Sequence, residues 1–330
     1  METRFVEIKK RLKAELIRPF LSLKEIKAKE AILIFSEPRG GSTWILELLS
    51  NIPNSATIFE PLHSNYGLFL NDERYEWGTY PDPSIKNEQL LSEWNNLLSG
   101  NSINSYVVSR SEVIDYINSD KLVIKFIMGT PFLPWVSKNI QLKYKPIYLM
   151  RHPLAVAKST LENLYKRGEA VLIDHKWIPE GANFDLYEKN KDIFSKDRPV
   201  LHHLIGRWCM NNYFAMKETS NNQVIKVHYE DLLLHPNTVI ANIFKIWNME
   251  TPPALFEKIN IPSSSDFRKD FRADKNEQLK KWFIGFSNKE LEEMDEILKR
   301  FEINVYSMFD ILPTIPSNSL ILKNKSANKV

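Results

Sequence analysis

The sequence predicts an α/β protein in which helices cover both faces of a central parallel sheet. Four short apolar runs have the length of buried strands, and each is followed by a polar or Gly/Pro turn. They lie at residues 31–35, 122–127, 146–150 and 224–227, and stretches of helical character follow at 43–50, 154–165 and 237–247. This alternation is typical of a parallel sheet. Such sheets bind ligands at the carboxyl ends of their strands, so we expect functional residues directly after these runs.

Composition and charge exclude several classes of protein. The net charge of +3 is too small and too evenly spread for a nucleic-acid binder, which would carry a concentrated basic stripe. The single cysteine, Cys209, forms no intrachain disulfide, and no Cys/His cluster has metal-ligand spacing. The N-terminus has no signal-peptide core, and no stretch approaches the roughly 18 apolar residues of a membrane span. We therefore expect a cytoplasmic protein with no integral membrane association.

Residues 1–30 are predicted to form an amphipathic helix. Apolar side chains recur at helical spacing with basic residues between them, and the recurring positions are Phe5, Ile8, Leu12 and Leu16. We expect this stripe to pack on the body of the protein. The alternative is a basic helix that lies on a membrane, although glutamates dilute its basic face.

Residues 31–312 are predicted to form one domain with two insertions. The insertions, residues 62–120 and 161–207, lack a strand rhythm, and we expect them to roof a site. Five of their aromatic side chains would line an apolar pocket or only pack the roof: Tyr66, Trp77, Tyr80, Trp177 and Tyr187. The polar tail, residues 313–330, is expected to be loosely ordered.

The first predicted strand is followed by a turn suited to binding phosphate. Residues 36–44 read SEPRGGSTW and lead into an apolar-periodic helix. The pair Gly40 and Gly41 lets the backbone curl until successive N–H groups point inward, and the helix N-terminus adds positive potential. Arg39 offers a planar fork of hydrogen-bond donors to the same phosphate.

Two hydroxyl side chains begin this helix, and no lysine precedes them. Ser42 and Thr43 can cap the helix and also donate hydrogen bonds to phosphate oxygens. A Walker loop needs Gly-Lys-Ser/Thr, in which the lysine reaches the outer phosphates and the hydroxyl binds magnesium. Gly41 stands where that lysine would be. The loop is therefore predicted to bind phosphate without a metal, and the alternative is a plain helix cap with a solvated arginine.

A second candidate phosphate-binding pair follows the third predicted strand. Arg151 ends this strand, Pro153 suits the start of a helix, and Ser159 lies eight positions after the arginine, about two turns into that helix. Arginine and serine can then hold one phosphate from two sides. Taken alone, an Arg-x-Pro strand end is usually just a turn.

These two motifs resemble, in the same order, the nucleotide-binding motifs of the sulfotransferase superfamily. Residues 38–44, which end in Trp44, resemble the family's 5′-phosphosulfate loop, although Gly40 replaces its usual serine. The family's 3′-phosphate motif is an Arg-x-Pro with a serine eight positions after the arginine. The resemblance thus implies that Arg151 and Ser159 bind the 3′-phosphate.

Two further segments are similar to the family. Residues 227–232 resemble its strand and Tyr-Glu-Asp turn, which would place Tyr229 near the adenine, and residues 279–282 would give Lys281 to the 3′-phosphate. The resemblance runs from about residue 31 to 309 and implies the P-loop-like sulfotransferase fold. It also implies metal-independent transfer of a sulfuryl group from 3′-phosphoadenosine 5′-phosphosulfate (PAPS) to a hydroxyl or amine of a small-molecule acceptor, with 3′-phosphoadenosine 5′-phosphate (PAP) as product.

The resemblance also suggests catalytic residues, with one departure from the family. Sulfuryl transfer is loose and in-line, so the enzyme mainly positions substrates and neutralises charge, which Arg39 is placed to do. Many members carry Lys-Thr-His after the second strand, with histidine as the base; Lys125 matches the lysine, but the histidine is missing. Other branches use a glutamate about twenty residues after the loop, where Glu60 stands. We favour Glu60 as the base; His63 is the alternative, and a solvated turn glutamate is the third interpretation.

Two rival functions stay open at the level of sequence. A nucleotide or small-molecule kinase with a degenerate P-loop would share the fold and depend on magnesium. A non-catalytic nucleotide-binding protein would keep the fold without the chemistry, and the presence of Glu60 and Arg39 counts mildly against it. The motifs do not specify the acceptor, so lipids, alkaloids, sugars, polyketides and peptides stay open, as does a homodimer.

Overall fold

A five-stranded parallel sheet forms the centre of the protein. The computed structural model describes residues 2–24, 26–76, 78–166, 182–261, 263–264 and 274–317. The strands are β1 (Ile32–Ser36), β2 (Ser55–Phe59), β3 (Lys121–Phe126), β4 (Ile147–Met150) and β5 (Ile225–His228). Their order is β2-β3-β1-β4-β5, and all four strand pairs are parallel. The predicted α/β class with a central parallel sheet is confirmed.

Helices cover both faces of this sheet. In the described ranges they are α1 (Glu2–Lys24), α2 (Ser42–Leu49), α3 (Glu88–Leu98), α4 (Val113–Asn118), α5 (Leu133–Asn139), α6 (Pro153–Lys166), α7 (Ala182–Asn190), α8 (Val200–Glu218), α9 (Tyr229–Leu234), α10 (Pro236–Ile246), α11 (Pro253–Lys258), α12 (Lys275–Lys280) and α13 (Asn288–Arg300). Buried side chains of α2 and α10 pack on one face, and those of α1, α3, α8 and α13 pack on the other.

Successive side chains of β1 point to opposite faces of the sheet. Leu33 and Phe35 join one core, in which the Trp94 ring of α3 stacks on Phe35 at 6.3 Å between centroids. Ile32 and Ile34 join the other core, against α2 and α10. Because both faces are covered, the central strands are mainly apolar, which explains the apolar runs in the sequence, and Lys125 of β3 is an exception.

The four predicted strands agree with β1, β3, β4 and β5 to within one residue at each end. β2 is not among the four runs. It lies at the edge of the sheet and contains the polar residues Ser55 and Thr57, so its apolar pattern is weaker than that of a central strand. The nearby loop satisfies one of its edge groups, since Thr57 N donates to Ser111 Oγ at 3.0 Å.

The N-terminal helix α1 packs through a different face from the one predicted. Its buried side chains are Ala14, Ile17 and Leu21, whereas Leu12 and Leu16 are 58% and 57% exposed. The side chains of the other two predicted stripe residues, Phe5 and Ile8, lie outside the described part of the chain. The face is set by the buried side chains together with two polar contacts: Arg18 Nη2 donates to Ile103 O (3.3 Å), and Lys24 Nζ donates to Ser119 O (2.9 Å).

The predicted insertions and tail contribute more to the body of the protein than expected. α3, within the predicted insertion 62–120, buries Trp94 in the core instead of only roofing a site. In the tail, Ser317 is buried and donates to Asp231 Oδ2 through Oγ (2.6 Å) and N (2.7 Å). Residues 318–330 lie outside the described part. Among the described helices, none has the length and apolar character needed to cross a bilayer.

Candidate active site

The turn between β1 and α2 curls through two residues of left-handed backbone. φ is 66° at Arg39 and 91° at Gly41, which directly precedes α2. Hydrogen bonds from Gly40 N to Glu37 O (3.0 Å) and from Trp44 N to Gly41 O (3.2 Å) close the turn. A non-glycine residue at positive φ is strained, and such strain concentrates at ligand-binding sites. With the N-terminus of α2, this turn can bind an anion.

Both glycines of the turn are required by close packing. A Cβ on Gly41 would overlap the ring of Tyr229, and a Cβ on Gly40 would overlap Ser36 Oγ and the Glu37 carbonyl. The second overlap gives a physical reason for the glycine at the position of the family's usual serine. Here the space for that side chain is taken by the end of β1.

The two predicted phosphate motifs are in direct contact. Arg39 Nε donates to Ser159 Oγ on α6 at 3.0 Å, and Arg151 Nη1 donates to the Arg39 carbonyl at 2.9 Å. Residues from the ends of β1 and β4, which are adjacent in the sheet, therefore form one cationic surface. The sequence predicts both motifs, and the parallel sheet brings them together.

The Arg151 guanidinium lies between two aromatic rings. Its Cζ is 4.4 Å from the Tyr229 ring centroid and 5.4 Å from that of Trp282, and Lys281 Nζ is 4.6 Å from the Trp282 centroid. Cation–π contacts of this kind hold a guanidinium in place without using its N–H groups. The buried Arg151 Nε has no hydrogen-bond partner among the described residues, which leaves a donor available for a ligand.

Lys125 joins the phosphate turn to a carboxylate. Its Nζ lies 2.6 Å from Glu60 Oε1 and donates to Thr43 Oγ1 at 3.0 Å, and the Phe59 ring centroid is 4.0 Å away. The lysine side chain is only 1% exposed. Burial lowers the pKa of Lys125, and the charge of Glu60 opposes this shift. A buried ion pair next to an anion-binding turn is costly for stability, so it is a feature expected of a functional site.

Glu60 follows the last residue of β2 in a strained conformation. Its φ is 47°, and its N–H donates to the Lys125 carbonyl at 2.9 Å. The left-handed turn ends β2, and the carboxylate meets the lysine of the neighbouring strand β3. The sequence-predicted catalytic residues Glu60 and Lys125 are thus in contact, and Arg39 belongs to the turn that Lys125 reaches through Thr43.

One residue of this site, Tyr106, is not identified by the sequence motifs. Its hydroxyl donates to Glu60 Oε2 at 2.6 Å. The alternative base His63 lies on the other side of Tyr106, with 5.3 Å between their ring centroids, and its Nδ1 accepts from Asn65 N at 3.1 Å. No motif marks Tyr106. A signal that could have drawn attention to it is Asn104, whose side chain caps the turn that carries it.

A buried polar network supports the strand ends behind Arg151. His152 N donates to Glu230 Oε1 (2.9 Å), and Tyr306 OH donates to Glu230 Oε2 (3.0 Å). Burial raises the pKa of Glu230 to about 7 and lowers that of His152 to about 4. These contacts join the ends of β4 and β5 to a segment near the C-terminus.

The three predicted acceptor-pocket aromatics within the described residues do not form one cluster. Tyr66 lies beside Tyr106 at 5.3 Å between centroids and is 58% exposed. Tyr80 stacks on Phe214 of α8, and Tyr187 stacks on Phe194. Trp77 and Trp177 lie outside the described residues. Only Tyr66 is therefore seen next to the Glu60 site.

Comparisons with protein families and with solved structures find similar proteins. The family model described as "Sulfotransferase domain" matches residues 29–295. Similar solved structures include the sulfotransferase domain of the curacin biosynthetic pathway (16% identity, 82% of this chain and 96% of that chain, TM-score 0.44). Others are the sulfotransferase domain of the Synechococcus PCC 7002 olefin synthase (17%, 85% and 96%, 0.43) and a mouse sulfotransferase complexed with PAP (16%, 86% and 89%, 0.41). No curated protein sequence matches the chain.

The site and the matched region together define a transferase of the P-loop-like sulfotransferase type. The family match covers the sheet, the phosphate turn and the residues of this site except those near the C-terminus. The chain belongs to the sulfotransferase domain family, which confirms the resemblance seen in its motifs.

Proposed function

We propose that this chain transfers a sulfuryl group from PAPS to a hydroxyl or amine of a small-molecule acceptor. The observation that best supports this proposal is that Lys125 contacts both Thr43, next to the phosphate turn, and the Glu60 carboxylate. A base is thereby held beside the turn that would bind the donor. Direct transfer between two bound substrates needs this proximity.

The residues present suit PAPS. The backbone of the turn, with Arg39, Ser42 and Thr43, would hold the 5′-phosphosulfate, and Arg151 with Ser159 would hold the 3′-phosphate. The unpaired, buried Nε of Arg151 supports this assignment. Tyr229, Trp44 and Lys281 complete the proposed nucleotide contacts. Bound PAPS supplies the sulfuryl group, and fixed cationic side chains take the charge-neutralising part that a metal takes in kinases.

Glu60 is the proposed general base. Its carboxylate accepts the acceptor proton while the acceptor atom bonds to sulfur and the bond from sulfur to the 5′-phosphate oxygen breaks. Lys125 and Arg39 offset negative charge on the transferring group and on the leaving oxygen. Each carboxylate oxygen has a further lone pair beyond its contact with Lys125 or Tyr106, so Glu60 can take a proton without losing either partner.

Nucleotide titration by calorimetry tests the donor assignment. PAP should bind in the presence of EDTA, and Arg151→Ala should weaken binding by about 10- to 150-fold, because a charge-assisted hydrogen bond contributes about 1.5–3 kcal/mol. Adenosine 5′-phosphosulfate, which lacks the 3′-phosphate, serves as the control and should bind both proteins almost equally. Tighter, magnesium-dependent binding of ATP would instead favour the kinase.

A further inference from the structure

We propose that Tyr106 is a positioning residue that fixes the orientation of the Glu60 carboxylate. The inference rests on the proposed role of Glu60 as the base. The Tyr106 hydroxyl donates to Glu60 Oε2 at 2.6 Å, while Lys125 contacts Oε1. With one donor on each oxygen, the carboxylate plane is fixed, and rotation about its terminal torsion would break both contacts.

The turn that carries Tyr106 is tied to the strand that carries Glu60. The N–H groups of Tyr106 and Val107 both donate to Asn104 Oδ1 at 3.0 Å. The Val107 carbonyl in turn accepts from Phe59 N at 2.8 Å, one residue before Glu60. The two ends of the hydroxyl–carboxylate hydrogen bond therefore belong to one hydrogen-bonded unit, although 46 residues separate them in the chain.

Neighbouring rings hold the Tyr106 side chain in place. Phe59, His63 and Tyr66 surround it, with centroid distances of 5.6, 5.3 and 5.3 Å. A tyrosine has only two side-chain torsions, so contacts on several sides leave its hydroxyl few other positions. This arrangement directs the hydroxyl at Glu60.

Tyr106 stays a hydrogen-bond donor over the working range of pH. Burial, followed by the negative charge of Glu60, raises the pKa of Tyr106 well above its usual value, and Arg110 opposes this only partly. The other charged or titratable groups that face the pair are Lys125, Tyr66 and His63. The hydroxyl therefore keeps its proton and can donate a hydrogen bond to the Glu60 carboxylate.

Tyr106→Phe tests this by removing one oxygen atom and keeping the ring contacts. In protein labelled with ¹³C at the glutamate carboxyls, the Glu60 signal is identified by its loss in Glu60→Gln. The chemical shift of this signal at neutral pH should differ between Tyr106→Phe and wild type, because the carboxylate loses the hydrogen bond that Oε2 accepts. The affinity for PAP, measured by calorimetry, should change less than about twofold, since it depends on other residues.

Tyr75→Phe is the matched control, because Tyr75 OH donates to Glu93 Oε2 at 2.7 Å away from this site. It removes the same type of bond and should leave the Glu60 signal unchanged. An equal Glu60 chemical shift in wild type and Tyr106→Phe, or an equal displacement of the signal in Tyr75→Phe, overturns the inference. Since the signal reports the surroundings of the carboxylate without any acceptor, this failure is distinct from failure of the proposed base, which would appear as undiminished sulfuryl transfer by Glu60→Gln.

Discussion

Glu37 is a buried carboxyl directly beneath the phosphate turn. It is 6% exposed, and its Oε2 accepts from Asn211 Nδ2 on α8 at 3.0 Å. Burial raises the pKa of Glu37 from 4.5 to about 7, against the opposing effects of Asn211 and the charge of Arg207. This side chain therefore changes its protonation state near neutral pH.

The raised pKa of Glu37 predicts a pH-dependent loss of stability. The folded protein holds the Glu37 proton more tightly than the unfolded chain does. Protonation of Glu37 therefore stabilises the folded state fully below about pH 4.5, and this stabilisation is lost as the pH rises through about 7. One pKa unit corresponds to about 1.4 kcal/mol, which makes the whole effect on the order of 3 kcal/mol. Glu37→Gln does not titrate. Between pH 4.5 and 8, the free energy of unfolding of wild type should therefore fall by about 3 kcal/mol relative to that of Glu37→Gln.

Urea unfolding of both proteins across this range measures the effect. The difference between the two proteins is the informative quantity, because His152 and Glu230 titrate equally in both. A difference that stays constant with pH would show that Glu37 does not carry the titration. In that case the pKa of Glu37 would not be raised in the folded protein.

Individual residues of the site were predictable where a motif places them at a strand end. Arg39, Arg151 and Lys125 each follow or end an apolar run, and the parallel sheet necessarily brings such ends together. Tyr106 was not predictable in this way. Its position depends on a turn held by Asn104 and on a contact across 46 residues, and neither leaves a periodic signal in the sequence.

At the scale of the element, the phosphate turn depends on the space at Gly41. Gly41→Ala would strain a residue with φ of 91° and would push a Cβ into the Tyr229 ring. Overlap in a packed region costs about 1–3 kcal/mol. The turn or Tyr229 must shift in response, so we expect PAP affinity to fall by about tenfold or more.

Gly285→Ala is the matched control for the turn. Gly285 has nearly the same backbone conformation, with φ of 93°, but a Cβ there meets nothing within 4 Å. Both variants share the cost of an alanine at positive φ, and only Gly41→Ala adds the overlap. PAP titrations that gave equal affinities for the two variants would exclude a packing requirement at the turn.

Elements were predicted well where a strand is mainly apolar. This condition holds for β1 and β4, and also for β3 and β5 although each contains lysine, and it fails for β2, which contains Ser55 and Thr57. The face of α1 was predicted incorrectly because the helix carries apolar residues on two sides. Periodicity could not show that Ile17 and Leu21, and not Leu12 and Leu16, meet the core, since that choice depends on the surface against which the helix packs.

At the scale of the whole molecule, segments far apart in sequence complete the site. Tyr306, near the C-terminus, donates to Glu230 behind the Arg151 motif, and Ser317 bonds to Asp231 in the same turn of α9. The site therefore needs the folded chain as far as residue 317. The sequence motifs name more residues for the proposed nucleotide half of the site than for the proposed acceptor half, because phosphate binding uses a small set of backbone shapes and acceptor binding depends on the packing of long loops.

The central claim is that the chain moves a sulfuryl group from PAPS with Glu60 as the base. The most direct measurement follows isotopically labelled sulfur from PAPS into pools of small-molecule acceptors in the presence of EDTA. Wild type should transfer the label, His63→Ala should keep most of the rate, and Glu60→Gln should be about 10²- to 10⁴-fold slower, the usual range for a general base. Glu60→Gln should still bind PAP. Label that stays on PAPS while magnesium-ATP donates its phosphate, or full-rate transfer by Glu60→Gln, would contradict the account.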